Sequence, residues 1–212
     1  VRISDGASDE PDGPLVTGQE TARRLDVLFG EPGERVICLS GGPGTGKRFQ
    51  VEHLMARSGQ RCVFASLDCD RPEERAAEGV LIARLTGACL CVSHLEKLDG
   101  EGKLLPPEER LLQTILDLEP AHEKLFILSQ LPVRARLGRL SVELELPDAT
   151  EDERIALFRA YLGDTQLGDG LTVEELASKF RFSPRQVEQA CRQAVGLARL
   201  DGAEQISSRE MH

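Results

Sequence analysis

The run Leu39-Ser40-Gly41-Gly42-Pro43-Gly44-Thr45-Gly46-Lys47-Arg48 constrains this chain more than any other stretch. The apolar segment Arg35-Val36-Ile37-Cys38-Leu39-Ser40 leads into it, and an amphipathic segment from Phe49 to Arg57 follows. Strand, glycine-rich turn and helix, in that order, are the setting a phosphate-binding loop requires. Glycines let successive backbone N–H groups crowd round an anion. Lys47 reaches for outer phosphates, and the next helix aims its positive end at them. Gly42, Pro43, Gly44, Thr45, Gly46 and Lys47 would form that cradle. One position departs from the pattern. The residue after the lysine should be Ser or Thr, whose hydroxyl holds Mg²⁺, and here it is Arg48. Either its guanidinium neutralises phosphate oxygens in place of the metal, or it folds out to solvent or blocks the pocket. A nucleoside phosphate is the expected ligand, with binding independent of Mg²⁺ or only weakly dependent on it.

Further apolar runs lie at 62–67, 88–92, 124–129 and 140–146. Ala88-Cys89-Leu90-Cys91-Val92 is apolar throughout, as a central parallel strand covered on both faces is. Leu140, Val142, Leu144 and Leu146 alternate with polar residues, as on an edge strand. Helical stretches separate the runs, one of them opened by Pro72 and one by Pro106 and Pro107. The expected fold class is α/β, with a parallel five-stranded sheet flanked by helices. After Pro147 only helices are expected. Thr150 with Glu153 and Thr172 with Glu175 form capping boxes, and Ser183-Pro184-Arg185-Gln186 opens a third helix. The domain reading is a disordered segment at 1–14, an α/β nucleotide-binding domain at 15–147 and a small helical domain at 148–212. Ser207 with Glu210 is one more capping box, and the chain stops two residues later. A helix capped and then cut reads as an excerpt from a longer protein.

The bulk properties narrow the function classes. A net charge of −10 argues against a sequence-independent grip on nucleic acid, which needs a basic face. No run of apolar residues is long enough for a membrane span. The six cysteines include no Cys-x-x-Cys pair, and only four histidines are scattered along the chain, so neither zinc nor another metal site is expected. Most of the cysteines fall in apolar runs, where they read as small buried hydrophobes in a reducing cytoplasm.

Taken together, the glycine loop, five strands and a trailing helical segment resemble the AAA+ superfamily of P-loop ATPases over residues 15–212. Gly42-Pro43-Gly44-Thr45-Gly46-Lys47 is close to the loop of that family. Leu15-Val16-Thr17-Gly18-Gln19-Glu20 resembles the element whose backbone touches adenine, which implies a nucleotide contact at Val16. Ser183-Pro184-Arg185-Gln186-Val187 resembles the start of the lid helix that carries a phosphate-sensing arginine, here Arg185. Leu176 to Ser183 is similar to the lid of bacterial proteins with two AAA modules in tandem, whose N-terminal module is often degenerate. The resemblance implies ATP or ADP as ligand and other AAA modules or subunits as partners.

Departures from the family bear on catalysis. The family's third strand ends in Asp-Glu, which orient the metal and activate water. Ser93 and His94 stand there. His94 is a candidate base that needs an orienting partner, Glu96 lies too far along to substitute, and Gln130 matches a residue that positions water. Arg134, Arg136 and Arg139 lie where an arginine finger for a neighbouring subunit would be. The expected function is nucleotide binding with impaired or absent hydrolysis, serving as a regulatory or assembly module of a larger ATPase. The alternatives are a slow ATPase using His94 or Gln130, and a scaffold with an empty site.

Overall fold

A computed structural model describes residues 1–4, 11, 13–33, 35–95, 106–118, 124–133, 141–163, 165–168, 170–200 and 205–206. In chain order the elements are β1 (Arg2–Ser4), α1 (Gln19–Gly30), β2 (Arg35–Ser40), α2 (Lys47–Ser58), β3 (Cys62–Ser66), α3 (Pro72–Thr86), β4 (Cys89–Ser93), α4 (Pro106–Leu118), β5 (Lys124–Leu128), β6 (Ser141–Glu145), α5 (Glu151–Leu162), β7 (Gln166–Leu167), α6 (Val173–Lys179), α7 (Pro184–Leu200) and β8 (Gln205–Ile206). They group into two compact units. The first comprises Val1–Pro11, Glu20–Gly42 and Lys47–Leu146, and the second Asp12–Gln19, Pro43–Gly46 and Pro147–His212.

The first unit is built on a six-stranded sheet of order β1-β3-β4-β5-β2-β6. Strands β2 to β6 are parallel, so their chemistry-bearing ends fall on one edge. The continuous apolar strands bury both faces. Val36, Val63, Leu90 and Ile127 pack with Val80 of α3 and Ile115 of α4. Ile37, Leu39, Phe64, Cys91 and Phe126 pack on the other face with Leu25 of α1 and Leu54 of α2. Helix α3 comes close to the sheet at Gly79, where a Cβ would lie 3.1 Å from the Cβ of Ala65 and 3.3 Å from Cδ1 of Leu90. Strand β6 lies at an edge, as its alternation predicts.

The five expected strands are the parallel strands β2–β6. A sixth strand extends the sheet. The extra one, β1, lies in the segment read as disordered, and pairs antiparallel with β3 through Arg2↔Phe64, Ile3↔Val63 and Ser4↔Cys62. A three-residue strand is too short to show periodicity; only the open edge of β3 selects it. The stretch after Pro147 is not wholly helical, since β7 and β8 form a two-residue parallel pair.

The second unit packs α5, α6 and α7 around Phe158, Leu162, Leu176, Val187 and Cys191. Both predicted capping boxes form. Glu153 N donates to Thr150 Oγ1 at 3.2 Å while Thr150 N donates to Glu153 Oε2 at 2.9 Å, and Thr172 and Glu175 repeat the exchange. Ser183 N donates to Gln186 Oε1 at 2.8 Å ahead of α7. The box expected at Ser207 and Glu210 lies outside the described residues. No helix among the described residues is long and apolar enough to cross a membrane.

Candidate functional site

Strand β2 ends at Ser40, and Gly41 turns the chain with its N–H donating to Gln130 O at 3.2 Å. Gly41, Gly44 and Gly46 hold φ of 148°, 79° and 98°, a region that residues with a Cβ seldom enter. Lys47 is the first residue of α2, and its Nζ donates to Gly41 O at 2.6 Å and Gly42 O at 2.8 Å. Its charge is therefore held at the loop. Arg48 turns another way. Its Nε donates to Glu52 Oε1 at 2.8 Å, and its guanidinium lies 4.6 Å from the centre of the Phe64 ring on β3. Of the alternatives open at this residue, the structure shows a guanidinium laid against α2 and β3.

Pro43–Gly46 belong to the second unit. There Gly44 O accepts from Arg185 N at 3.2 Å, in the first turn of α7. A Cβ on Gly44 would lie 2.6 Å from Ser183 Oγ and 3.3 Å from Arg185 Cβ, so glycine is needed there for space as well as for φ. Thr45 is buried, and the Arg185 residue is exposed. Val16 packs against the core of this unit, and the nearby Gly18 N donates to Glu153 Oε1 at 3.1 Å.

At the carboxyl edge of the first unit's sheet, β3 and β4 end side by side, with Ser66 opposite Ser93. His94 follows, exposed, with φ of 63°, alone among the described non-glycine residues in having positive φ. Its Nδ1 lies 3.1 Å from the hydroxyl of Ser66 and 3.1 Å from that of Ser93. The orienting group that a catalytic base needs is thus a pair of hydroxyls rather than a carboxylate. Ser66 was not singled out from the sequence, because the register that sets it opposite Ser93 is a tertiary fact. Gln130 is exposed and meets the loop through its carbonyl. Glu96, Arg134, Arg136 and Arg139 lie outside the described residues.

Helices α1, α3, α4, α5 and α6 each carry acid in the first turn, which complements the helix dipole. Helices α2 and α7 carry none, and α2 opens on two successive cations, Lys47 and Arg48. Glu52 answers Arg48, and the Lys47 ammonium stands at the positive end of the helix, a place that favours an anion. The donor set fits a phosphate. It offers little to a hard divalent cation, which asks for several oxygen ligands: a guanidinium follows Lys47, and β4 ends at Ser93, followed by His94, without a carboxylate. Among the described residues no cluster of three or more His, Cys, Asp or Glu side chains is placed to hold a metal ion.

The thiols are graded by burial. Cys38, Cys62, Cys91 and Cys191 are buried, Cys89 is partly covered and Cys69 is exposed. Burial, aided by the Glu143 carboxylate, pushes the Cys38 thiol up to about 12, and burial alone pushes Cys191 up to about 12. A thiolate is the reactive form. A thiol reagent at neutral pH should therefore label Cys69 in a fast phase that Cys69→Ser removes, with Cys89 slower. Fast labelling that survives Cys69→Ser would refute this grading.

A parallel sheet whose strand runs through a glycine loop into a helix, in a chain that also carries a small helical unit, is an AAA+-like fold. Residues 150–211 match the family model described as the contractile injection system ATPase helical domain. The chain is also similar in fold to one solved in work on the structural basis for katanin self-assembly. That match has a TM-score of 0.70 and 15% identity, and covers 99% of this chain and 85% of the other. No curated protein matches the sequence.

Proposed function

We propose that this chain is a nucleotide-binding AAA+ module that takes ATP or ADP with little help from Mg²⁺ and hydrolyses ATP poorly or not at all. The observation that carries this reading is α2. It opens on two cations without an acid in its first turn, directly after glycines held at positive φ. The Lys47 ammonium and the backbone N–H groups of Gly42 and Lys47 bind the phosphates. Arg48, held by Glu52, takes no metal ligand's place. Ser93 and His94 leave the attacking water without the carboxylates that would activate it.

The helical-domain match supports a place in the ATPase of a contractile injection system, with this chain regulating or assembling a larger machine. The likeness to a katanin chain studied for self-assembly supports association with similar modules. In this reading residues 15–147 form the nucleotide-binding domain, residues 148–212 its helical lid, and the protein works in the cytoplasm.

The test is calorimetric titration of ATP and ADP with Mg²⁺ and with EDTA, beside a phosphate-release assay. Affinities should change by less than about threefold between the two conditions. Loss of about tenfold on chelation, or steady phosphate release that Lys47→Ala removes, would overturn the proposal.

A further inference from the structure

We propose that His94 is a direct hydrogen-bond donor to the terminal phosphate of a metal-free nucleoside triphosphate, and that Ser66 and Ser93 hold its ring for that contact. The inference rests on the nucleotide-binding reading above and deepens it by assigning a group that tells triphosphate from diphosphate.

Placement comes first. Ligands of open α/β sheets bind beyond the carboxyl ends of the strands. At that edge Ser66 ends β3, Ser93 ends β4, and Gly41 follows β2, with β5 lying between β4 and β2. Neighbouring strands are about 4.8 Å apart, so β4 and β2 are separated by about 10 Å. A polyphosphate seated on the loop at Gly42 and Lys47 extends along this edge towards His94. The His94 residue is exposed, and the next residue, Leu95, is fully buried and pins the backbone.

The ring chemistry then sets the role. Nδ1 meets two hydroxyls, each at 3.1 Å. A hydroxyl can donate or accept, so this pair supports either tautomer. A carboxylate at Nδ1 would instead fix the proton there and leave Nε2 as a base. Phosphate oxygens accept hydrogen bonds, so a phosphate at Nε2 selects the Nε2–H tautomer, and one of the two hydroxyls answers by donating to Nδ1. A carboxylate at position 94 would repel the same phosphate unless a cation stood between them. The imidazole removes that repulsion. The positive φ of His94 costs backbone energy, of a kind that persists only where the surroundings enforce it.

The experiment titrates ATP and ADP, both in EDTA, into wild type, His94→Ala, His94→Asn, His94→Gly and the Ser66→Ala/Ser93→Ala double variant. His94→Ala should weaken ATP by about tenfold, as for a lost hydrogen bond to a charged group, and ADP by less than about twofold. His94→Asn keeps a donor and tolerates the left-handed backbone, so it should recover most of the loss. His94→Gly suits φ of 63° and should raise the melting temperature while losing ATP preference as His94→Ala does, which a purely structural role would not produce. The double serine variant should fall between wild type and His94→Ala. Equal losses for ATP and ADP, or no loss in a protein whose binding Lys47→Ala abolishes, overturn the role of His94 and leave the nucleotide reading standing. Failure of wild type to bind either nucleotide overturns both.

Discussion

Lys47→Ala is expected to remove the stabilisation that ATP or ADP confers on the folded protein. A ligand present at about 100 times its Kd adds about 2.7 kcal/mol to the bound state. For a chain of this size that raises Tm by about 5–10 °C. The ammonium is the one group of the loop that brings a full charge to the phosphates, since the Arg48 guanidinium is paired with Glu52. Two charge-assisted hydrogen bonds from it contribute about 3–6 kcal/mol, so the variant should bind at least about 100-fold more weakly. Differential scanning fluorimetry with millimolar ATP, with and without EDTA, reads the effect directly. Without nucleotide the variant also loses the donors that hold Gly41 O and Gly42 O, so the comparison is of ligand-induced shifts and not of absolute melting points. A shift of normal size in Lys47→Ala would mean that nucleotide binds elsewhere, or that amides alone suffice.

Much of this was legible because the determining signals are local. Apolar runs such as Val36–Leu39 and Leu90–Val92 read as strands from composition alone, and the glycine spacing fixed where the loop turns. The capping boxes at Thr150 and Thr172 are satisfied within four residues, so no tertiary knowledge was needed. The charge pattern of α2 is also in the sequence, and becomes informative only beside the acids that open α1, α3, α4, α5 and α6. What stayed hidden depends on residues distant in the chain. Ser66 joins His94 through strand register. Strand β1 exists because β3 offers an edge, and its three residues carry no pattern of their own. The conformation of Arg48 hinges on Glu52, one turn along the helix, and on Phe64, which only the sheet brings near.

The largest effect on stability is expected at a residue that no motif marks. Lys124 opens β5, where a lysine would ordinarily keep its ammonium in water. Here it is 3% exposed, and its Nζ donates to Glu31 O and Gly33 O, each at 2.7 Å. Those carbonyls belong to the turn between α1 and β2, so the ammonium both caps the end of α1 and fixes the entry to the strand that feeds the glycine loop. Lys124→Met keeps most of the apolar stem and strands two carbonyls without their donor. Each hydrogen bond from a charged donor contributes about 1.5–3 kcal/mol, and Glu31 and Gly33 are exposed to water, giving a loss of about 2–5 kcal/mol and a fall in Tm of about 5–15 °C. The exposed pair Arg57–Asp26 also joins residues distant in the chain, at 2.9 Å, yet Arg57→Met should cost no more than about 1 kcal/mol, because water screens it. Urea unfolding of the two variants beside wild type separates them. The midpoint of the sheet-containing unit should move in Lys124→Met with little change in slope, while Arg57→Met stays near wild type. A Lys124→Met loss no larger than that of Arg57→Met would show that water or backbone relaxation satisfies the turn, and that β2 holds its place without the ammonium.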